Sequence, residues 1–175
     1  MSRVAILSAG PSLGQSIIRP GYDLTIGVNS AVEVFPCDWW CFADVATAIR
    51  VRPCVMTGSI FTSETEWSRL DGLAAWRKDE LSGYQVEFFE RVEIPGFVNS
   101  KWHTYSVTAA LALAAHLGAS EVDVYGHDMA GAVDHAGHDM RFTRTDARWE
   151  IEGRIWSLLC ARLARDGVEV RRIAA

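Results

Sequence analysis

Short apolar runs, each ending at a small or polar residue, recur through the first part of the chain. Four of these runs have the length of a buried parallel strand: residues 4–7, 24–28, 39–42 and 54–56. The small or polar residues that follow them are Ser8, Asn29, Asp44 and Thr57. Because the carboxyl ends of parallel strands meet at one edge of a sheet, we expect these four residues to face the same ligand.

Helical patterns alternate with the apolar runs. Three segments have helical patterns: a short one at residues 13–18, one of small side chains at 104–117 and a long amphipathic one at 148–165. Further strands are predicted at residues 122–125 and 168–170. Residues 62–100 lack a clear period and predict a less regular insertion or lid. The alternation predicts an α/β fold, a single-domain Rossmann-like three-layer sandwich with a mostly parallel sheet.

Composition narrows the class of protein. The 175 residues fit one domain, and 49% hydrophobic with 22% charged residues is typical of a soluble globular protein. A net charge of −5 gives no general attraction to nucleic acid. The apolar runs are too short to cross a membrane, so we expect a cytoplasmic protein. The oligomeric state stays open, a homo-oligomer included.

The turn after the first run carries the first candidate chemistry. Gly10 allows the backbone to approach a ligand closely, Pro11 fixes φ, and Ser12 has a hydroxyl that can reach an anion. A strand followed by a tight turn and a helix presents free N–H groups to a phosphate. The same three residues also form ordinary turns.

Two later strand ends offer polar groups to a nucleotide. Asn29 can form hydrogen bonds with a base or a ribose, and Asp44 can accept from ribose hydroxyls or hold a magnesium ion. Each of them is equally compatible with capping a turn.

The histidines form a second group of candidates. Gly126-His127-Asp128-Met129 recurs as residues 137–140, which places two histidine–aspartate pairs around one loop. Such a pair is suited to proton transfer near neutral pH. His103 precedes the small-residue helix, whose start at Ser106 could bind an anion. His135 and His138 are ligand types without the helical spacing of a zinc motif, so no metal site is predicted.

The first turn, residues 27–29 and the block from Tyr105 to Met129 together resemble the sialyltransferase-like glycosyltransferases of bacterial surface-sugar synthesis. They also resemble a wider set that includes flagellin-glycosylating motility-accessory factors and archaeal 6-hydroxymethylpterin diphosphokinases. The resemblance covers the first third and the last two-fifths of the chain. It implies a nucleotide site, for CMP in the sialyltransferases, at these positions: Gly10, Pro11, Ser12, Asn29, Ser106, Gly126 and Asp128. The sialyltransferases have an asparagine at the position of Ala9. The resemblance therefore supports nucleotide binding more strongly than it supports sialyl transfer.

These observations predict a glycosyltransferase with a CMP-sugar-like donor and a hydroxyl acceptor. His103 or His127, with Asp128 beside it, would act as the base, and no cofactor would be needed. An alternative is an ATP-dependent pyrophosphokinase in which Asp44 and Asp128 hold Mg²⁺. A non-catalytic nucleotide-binding module is the third interpretation.

Overall fold

The structure, a computed structural model, describes residues 2–89, 105–139 and 145–174. Its strands are β1 (Ser2–Leu7), β2 (Leu24–Val28), β3 (Cys37–Cys41), β4 (Met56–Thr62), β5 (Gln85–Phe88), β6 (Ala119–Tyr125) and β7 (Glu169–Ile173). Its α-helices are α1 (Val45–Arg50), α2 (Glu64–Leu73), α3 (Ala75–Leu81), α4 (Ser106–His116) and α5 (Asp146–Arg165). Two 3-10 helices, Pro11–Gln15 and Asn29–Glu33, follow β1 and β2.

The strands form one sheet in the order β5-β4-β3-β2-β1-β6-β7. Every strand pair in the described part of the chain is parallel. The fold is therefore a Rossmann-like three-layer α/β sandwich, and the prediction of the fold class is confirmed.

A separate hydrophobic core covers each face of the sheet. On one face α4 and α5 pack on the central strands, with Leu111 and Leu159 fully buried. Side chains of α1, α2 and α3 cover the other face, where Trp40 and Leu70 are fully buried. None of the helices in the described ranges combines the length and the hydrophobicity that a membrane span requires.

The order of the strands creates one topological switch point. From β1 the chain moves outward to β5, and it then returns to place β6 on the other side of β1. The connections on the two sides of β1 therefore diverge, and they leave a crevice beyond the carboxyl ends of β1 and β6. In open α/β sheets this is where ligands bind.

Three sequence-based expectations need correction. The helix expected at residues 13–18 is a 3-10 helix, Pro11–Gln15, and Ile17 beyond it is 88% exposed. Residues 64–88, expected to be less regular, form α2, α3 and β5. The fourth strand begins at Met56 and continues to Thr62.

The boundaries of β4 change the position of Thr57. Thr57 was expected to follow the end of this strand, but Thr57 and Gly58 both lie inside β4. A Cβ atom on Gly58 would approach the carbonyl oxygen of Asp38 to 2.1 Å, so glycine is needed for close packing of the neighbouring strands. Thr57 consequently lies at the start of β4, at the opposite edge of the sheet from the other predicted site residues.

Candidate functional site

A cavity of about 570 Å³ lies at the carboxyl edge of the sheet, across the switch point. Its walls come from the segments after β1, β2, β3 and β6 and from the first turns of α4 and α5. The predicted site residues among its lining are Ser8, Gly10, Asn29, Asp44, Ser106, Gly126, His127 and Asp128. Residues separated by more than a hundred positions thus meet in one place.

The first turn is locked to the turn that follows β6. The Gly10 N–H donates to the Gly126 carbonyl at 2.9 Å, and the Ser8 N–H donates to the Tyr125 carbonyl at 2.8 Å. A Cβ atom on Gly10 would lie 2.2 Å from that Gly126 oxygen. Gly10 is therefore required for contact between two protein backbones, where the sequence had suggested close approach to a ligand.

Asp128 holds the first turn from the other side. Its carboxylate accepts from the backbone N–H of Ser12 at 2.9 Å and from the Ser12 hydroxyl. Neither Pro11 nor Ser12 lines the cavity, and the Ser12 hydroxyl faces Asp128. The hydroxyl that the sequence offered to an anion is thus used inside the protein.

Asn29 stands in the left-handed region of backbone conformation, with a φ of 52°. Asparagine tolerates this region better than most residues do, and strained positions of this kind concentrate at binding sites. Its carbonyl accepts from the indole N–H of Trp40 at 3.0 Å. Its side-chain Oδ1 is buried and has no hydrogen-bond partner among the described residues. A ligand in the cavity could provide that partner.

Asp44 caps α1. Its carboxylate accepts from the Thr47 N–H at 2.7 Å and from the Thr47 hydroxyl at 2.9 Å. Glu66 of α2 accepts from the Val45 N–H at 2.8 Å, so the start of this short helix is already satisfied by two carboxylates. Of the two interpretations of Asp44, these contacts favour capping.

The start of α4 differs from that of α1. Its N-cap residue, Tyr105, forms no capping hydrogen bond through its side chain, and Tyr105, Ser106 and Val107 all line the cavity. The first backbone N–H groups of a helix and its positive dipole end attract a phosphate. α4 therefore offers the cavity its best anion-binding element.

The first turn of α5 adds a group that the sequence did not single out. Arg148 lines the cavity, and its guanidinium carbon lies 5.0 Å from the ring centre of Tyr105 and 5.5 Å from that of Trp149. Its Nε atom is 3.6 Å from a carboxylate oxygen of Glu152, which is only 4% exposed. The only signal in the sequence was their i, i+4 spacing, which does not indicate which way α5 faces.

His127 is buried in the wall of the cavity. It is 5% exposed, its ring centre is 4.5 Å from that of Trp156, and its Nε2 has no hydrogen-bond partner in the described ranges. Burial, with a smaller contribution from the positive charge of Arg172, lowers the pKa of His127 to about 4. The ring is neutral at physiological pH and is a weak base.

Residues 129–139, which we call the histidine loop, connect two walls of the cavity. Asp134 accepts from the Ser30 hydroxyl at 2.7 Å, from the His138 N–H at 2.8 Å and from His138 Nδ1 at 2.9 Å. Burial alone would raise the pKa of Asp134, but the hydrogen bonds from His138 and Ser30 outweigh it and hold the pKa below its ordinary value. The His135 N–H donates to the Ala9 carbonyl at 3.2 Å. The loop is therefore fixed to the turns that follow β1 and β2.

The remaining predicted site residue, His103, lies outside the described residues. Within the described part of the chain, no group of three or more histidine, cysteine or acidic side chains is arranged to hold a metal ion.

One solved structure with a similar chain path is the sialyltransferase CstII from Campylobacter jejuni, in complex with the substrate analogue CMP-3FNeuAc. The TM-score is 0.62 and the sequence identity 13%, and the alignment covers 99% of this chain and 82% of that chain. This chain has a sialyltransferase-like fold.

No protein-family model matches the sequence, and no curated protein matches it either. The sialyltransferase-like fold confirms the architectural part of the resemblance. The relation to motility-accessory factors and pterin diphosphokinases stays a prediction.

Proposed function

We propose that this protein is a glycosyltransferase that takes a sugar from a nucleotide-activated donor of the CMP-sugar type and transfers it to a hydroxyl acceptor. The observation that carries the proposal is the position of the α4 N-terminus. It opens into a cavity at the switch point of a sialyltransferase-like fold. A nucleotide phosphate is the ligand that such a helix end favours.

The polar groups of the cavity support a nucleotide as the ligand. Asn29 presents a buried side-chain oxygen that needs a hydrogen-bond donor, which a base amino group or a ribose hydroxyl provides. Ser8 lies beside it at the end of β1 and is nearly buried. A neutral His127 suits an uncharged polar group better than a phosphate, because it does not carry a positive charge at physiological pH.

Transfer to a hydroxyl needs a base that takes the acceptor's proton. His127 is poorly suited because of its low pKa. We propose His138 of the histidine loop instead: it does not itself line the cavity, but its neighbour Asp139 does, and its Nδ1 contacts the buried carboxylate of Asp134, a pairing typical of general-base histidines. We expect His138→Gln to lower kcat about 100-fold and His127→Gln to have a smaller effect on kcat.

The pyrophosphokinase alternative relies on Asp44 and Asp128 as magnesium ligands. Both carboxylates already accept hydrogen bonds from the backbone and the hydroxyl of a neighbouring residue, Thr47 and Ser12 respectively. These contacts give both aspartates a structural role, which favours the glycosyltransferase proposal.

Binding and turnover measurements test the proposal. The intact chain is titrated calorimetrically with CMP, UDP, GDP and ATP, each with magnesium and with EDTA, and is then incubated with CMP-sugars and a panel of hydroxyl acceptors. We expect CMP to bind with EDTA present, and CMP-sugar to be consumed with release of CMP. Release of AMP from ATP, lost on chelation, would identify the pyrophosphokinase instead. Binding of CMP without turnover of any donor would favour the non-catalytic module.

A further inference from the structure

We propose that His127 recognises the nucleobase of the donor, through a hydrogen bond between its imidazole and the edge of the base. This inference rests on the proposed function and adds to it the direction in which the nucleotide lies. The phosphate binds at the start of α4, the ribose lies near Asn29, and the base lies at the end of β6. His127, expected from the sequence as a general base, is thereby assigned a role in specificity.

The imidazole of His127 is a buried polar group in the wall of the cavity. The residue is 5% exposed, and its Nε2 has no hydrogen-bond partner among the described residues. Burying a polar atom in this way costs free energy unless a ligand or a water molecule satisfies it. The Oδ1 atom of Asn29 is in the same condition within the described ranges. The cavity therefore has two separate polar atoms that one ligand could satisfy together.

The start of α4 lies three strands away from His127. The Cys41 thiol at the end of β3 donates to the carbonyl of Ser106, the first residue of α4, at 3.2 Å, so this helix begins over the end of β3. His127 follows β6, and β2 and β1 lie between β3 and β6. Because neighbouring strands are about 4.8 Å apart, about 14 Å separate the ends of β3 and β6.

Helix α5 gives a similar separation independently. Arg148 lies over the ring of Tyr105, the N-cap residue of α4, and Trp156 contacts His127 with their ring centres 4.5 Å apart. The axis of α5 advances about 12 Å between Arg148 and Trp156, at about 1.5 Å per residue. The anion-binding helix end and His127 therefore lie far apart in the same cavity.

A nucleoside monophosphate has its groups in a matching order. Its phosphate and its base are at opposite ends, with the ribose between them, and Asn29 follows β2, which lies between β3 and β6. With the phosphate on the N-terminus of α4, the ribose comes near Asn29 and the base reaches His127.

The charge state of His127 favours this direction over the reverse one. Burial lowers the pKa of His127 to about 4, so the ring does not carry the positive charge that would attract a phosphate. Nucleobase edges are uncharged and offer both donors and acceptors, which proteins recognise by hydrogen bonds. Trp156 packs against the imidazole from outside the cavity lining and holds the ring in place.

Comparing CMP with ribose 5-phosphate, which lacks the base, isolates this contact. Both ligands are titrated by NMR into the wild type and into His127→Phe, His127→Gln and His116→Phe. Phenylalanine keeps a ring against Trp156 without a polar atom, and glutamine keeps a hydrogen-bonding group. His116 is the matched control, since it is exposed at the end of α4 and is absent from the cavity lining.

The expected effect is confined to the ligand that has a base. His127→Phe should weaken CMP binding about 10-fold, while the affinity for ribose 5-phosphate should change less than about 2-fold. His127→Gln should fall between His127→Phe and the wild type, and His116→Phe should match the wild type. Retained binding of ribose 5-phosphate also shows that the His127→Phe site is folded.

The other outcomes separate this inference from the proposed function. Failure of the wild type to bind CMP would contradict the proposed function itself. If the wild type binds CMP but not ribose 5-phosphate, the phosphate is not held at α4, and the direction of the nucleotide is wrong. Equal losses for both ligands in His127→Phe, or an equal loss of CMP binding in His116→Phe, would overturn recognition of the base. Unchanged CMP binding in His127→Phe would overturn it too, and weaker binding of the analogue CMP-3FNeuAc alone would assign His127 to the sugar instead.

Discussion

At the scale of single residues, several side chains that line the cavity also build it. Asp44 closes the start of α1 and Asp128 closes the first turn, each through a hydrogen bond from a backbone N–H and one from a hydroxyl. The exposed edges of such carboxylates can still contact a ligand. Their substitution, however, changes the shape of the site as well as its charge, so loss of activity alone would not define their role.

Gly10 allows a direct test of packing at the first turn. Alanine at position 10 places a Cβ atom 2.2 Å from the Gly126 carbonyl oxygen, whereas a Cβ atom on Gly14 meets nothing within 4 Å. We expect Gly10→Ala to lower the free energy of unfolding by about 2 kcal/mol or more, because backbone must move to relieve the overlap. Gly14→Ala should leave it within about 0.5 kcal/mol of the wild type. Urea unfolding of both variants measures the difference. Equal stabilities would show that the two turns do not pack as described.

His127 makes stability depend on pH. The unfolded chain has a histidine pKa near 6.5 and the folded protein one of about 4, so between these values only the unfolded state binds the proton. Stability therefore falls as the pH falls from about 6.5 towards 4. From pH 7 to pH 4.5 we expect this residue to account for a loss of about 2 kcal/mol.

Urea unfolding at the two pH values, with His127→Gln and the exposed His116→Gln as a matched pair, isolates this contribution. Other groups that titrate in this range are common to both variants and cancel in the comparison. His127→Gln should lose the extra pH dependence, and His116→Gln should keep it. An unchanged pH dependence in His127→Gln would show that this histidine is not held neutral in the folded state.

At the scale of elements, the histidine loop depends on one buried carboxylate. Asp134 is 4% exposed and joins the loop to Ser30, next to Asn29. Asp134→Asn replaces a charged acceptor by an amide that cannot satisfy all the donors around it. We expect a loss of about 1–3 kcal/mol in the stability of this loop, seen as faster hydrogen exchange at residues 134–138.

Two companion variants sharpen this experiment. Ser30→Ala removes one donor and should give a smaller change in the same segment, while Asp79→Asn, at a position on α3, should give none there. Uniformly faster exchange across the sheet in Asp134→Asn would contradict a local role, since it would mean that the whole fold depends on this carboxylate.

Local patterns predict some elements of this fold well and others poorly. The run at 24–28 coincides with β2, and the amphipathic period at 148–165 locates α5 to within two residues at its start. In both elements the hydrophobic pattern that predicts the structure lies entirely within the element itself. The end of β4 was misjudged because the apolar run stops at Met56, and Gly58 is a glycine because the neighbouring strand lies close to it. A contact with another strand leaves no trace in the local sequence.

The same limit applies to the candidate site. Strand ends were predictable, so Ser8, Asn29 and Asp44 were expected at one edge and do line one cavity. The partnership of Ser12 with Asp128 spans 116 positions and could not be predicted from either segment. Arg148 and Glu152 enter the cavity only because α5 packs on the sheet with that turn facing inward.

At the scale of the whole molecule, the cavity lies at the carboxyl edge of the sheet, and Thr57 lies at the opposite edge. Hydrogen exchange with and without saturating CMP should show protection after β1, β2 and β6 and at the first turn of α4, with none at the start of β4 around Thr57. The reason is that a ligand in the cavity touches only the carboxyl edge. Protection confined to the amino ends of the strands would place the ligand elsewhere and contradict the site.

The contact between Gly10 and Gly126 has a consequence for the evolution of proteins that share this first turn. Because the first turn must stay free of a side chain to let the two halves of the sheet meet, selection for folding alone preserves its glycine. A descendant that had lost all chemistry would still carry the motif. Its presence in a genome therefore marks inheritance of the architecture and does not by itself indicate an activity.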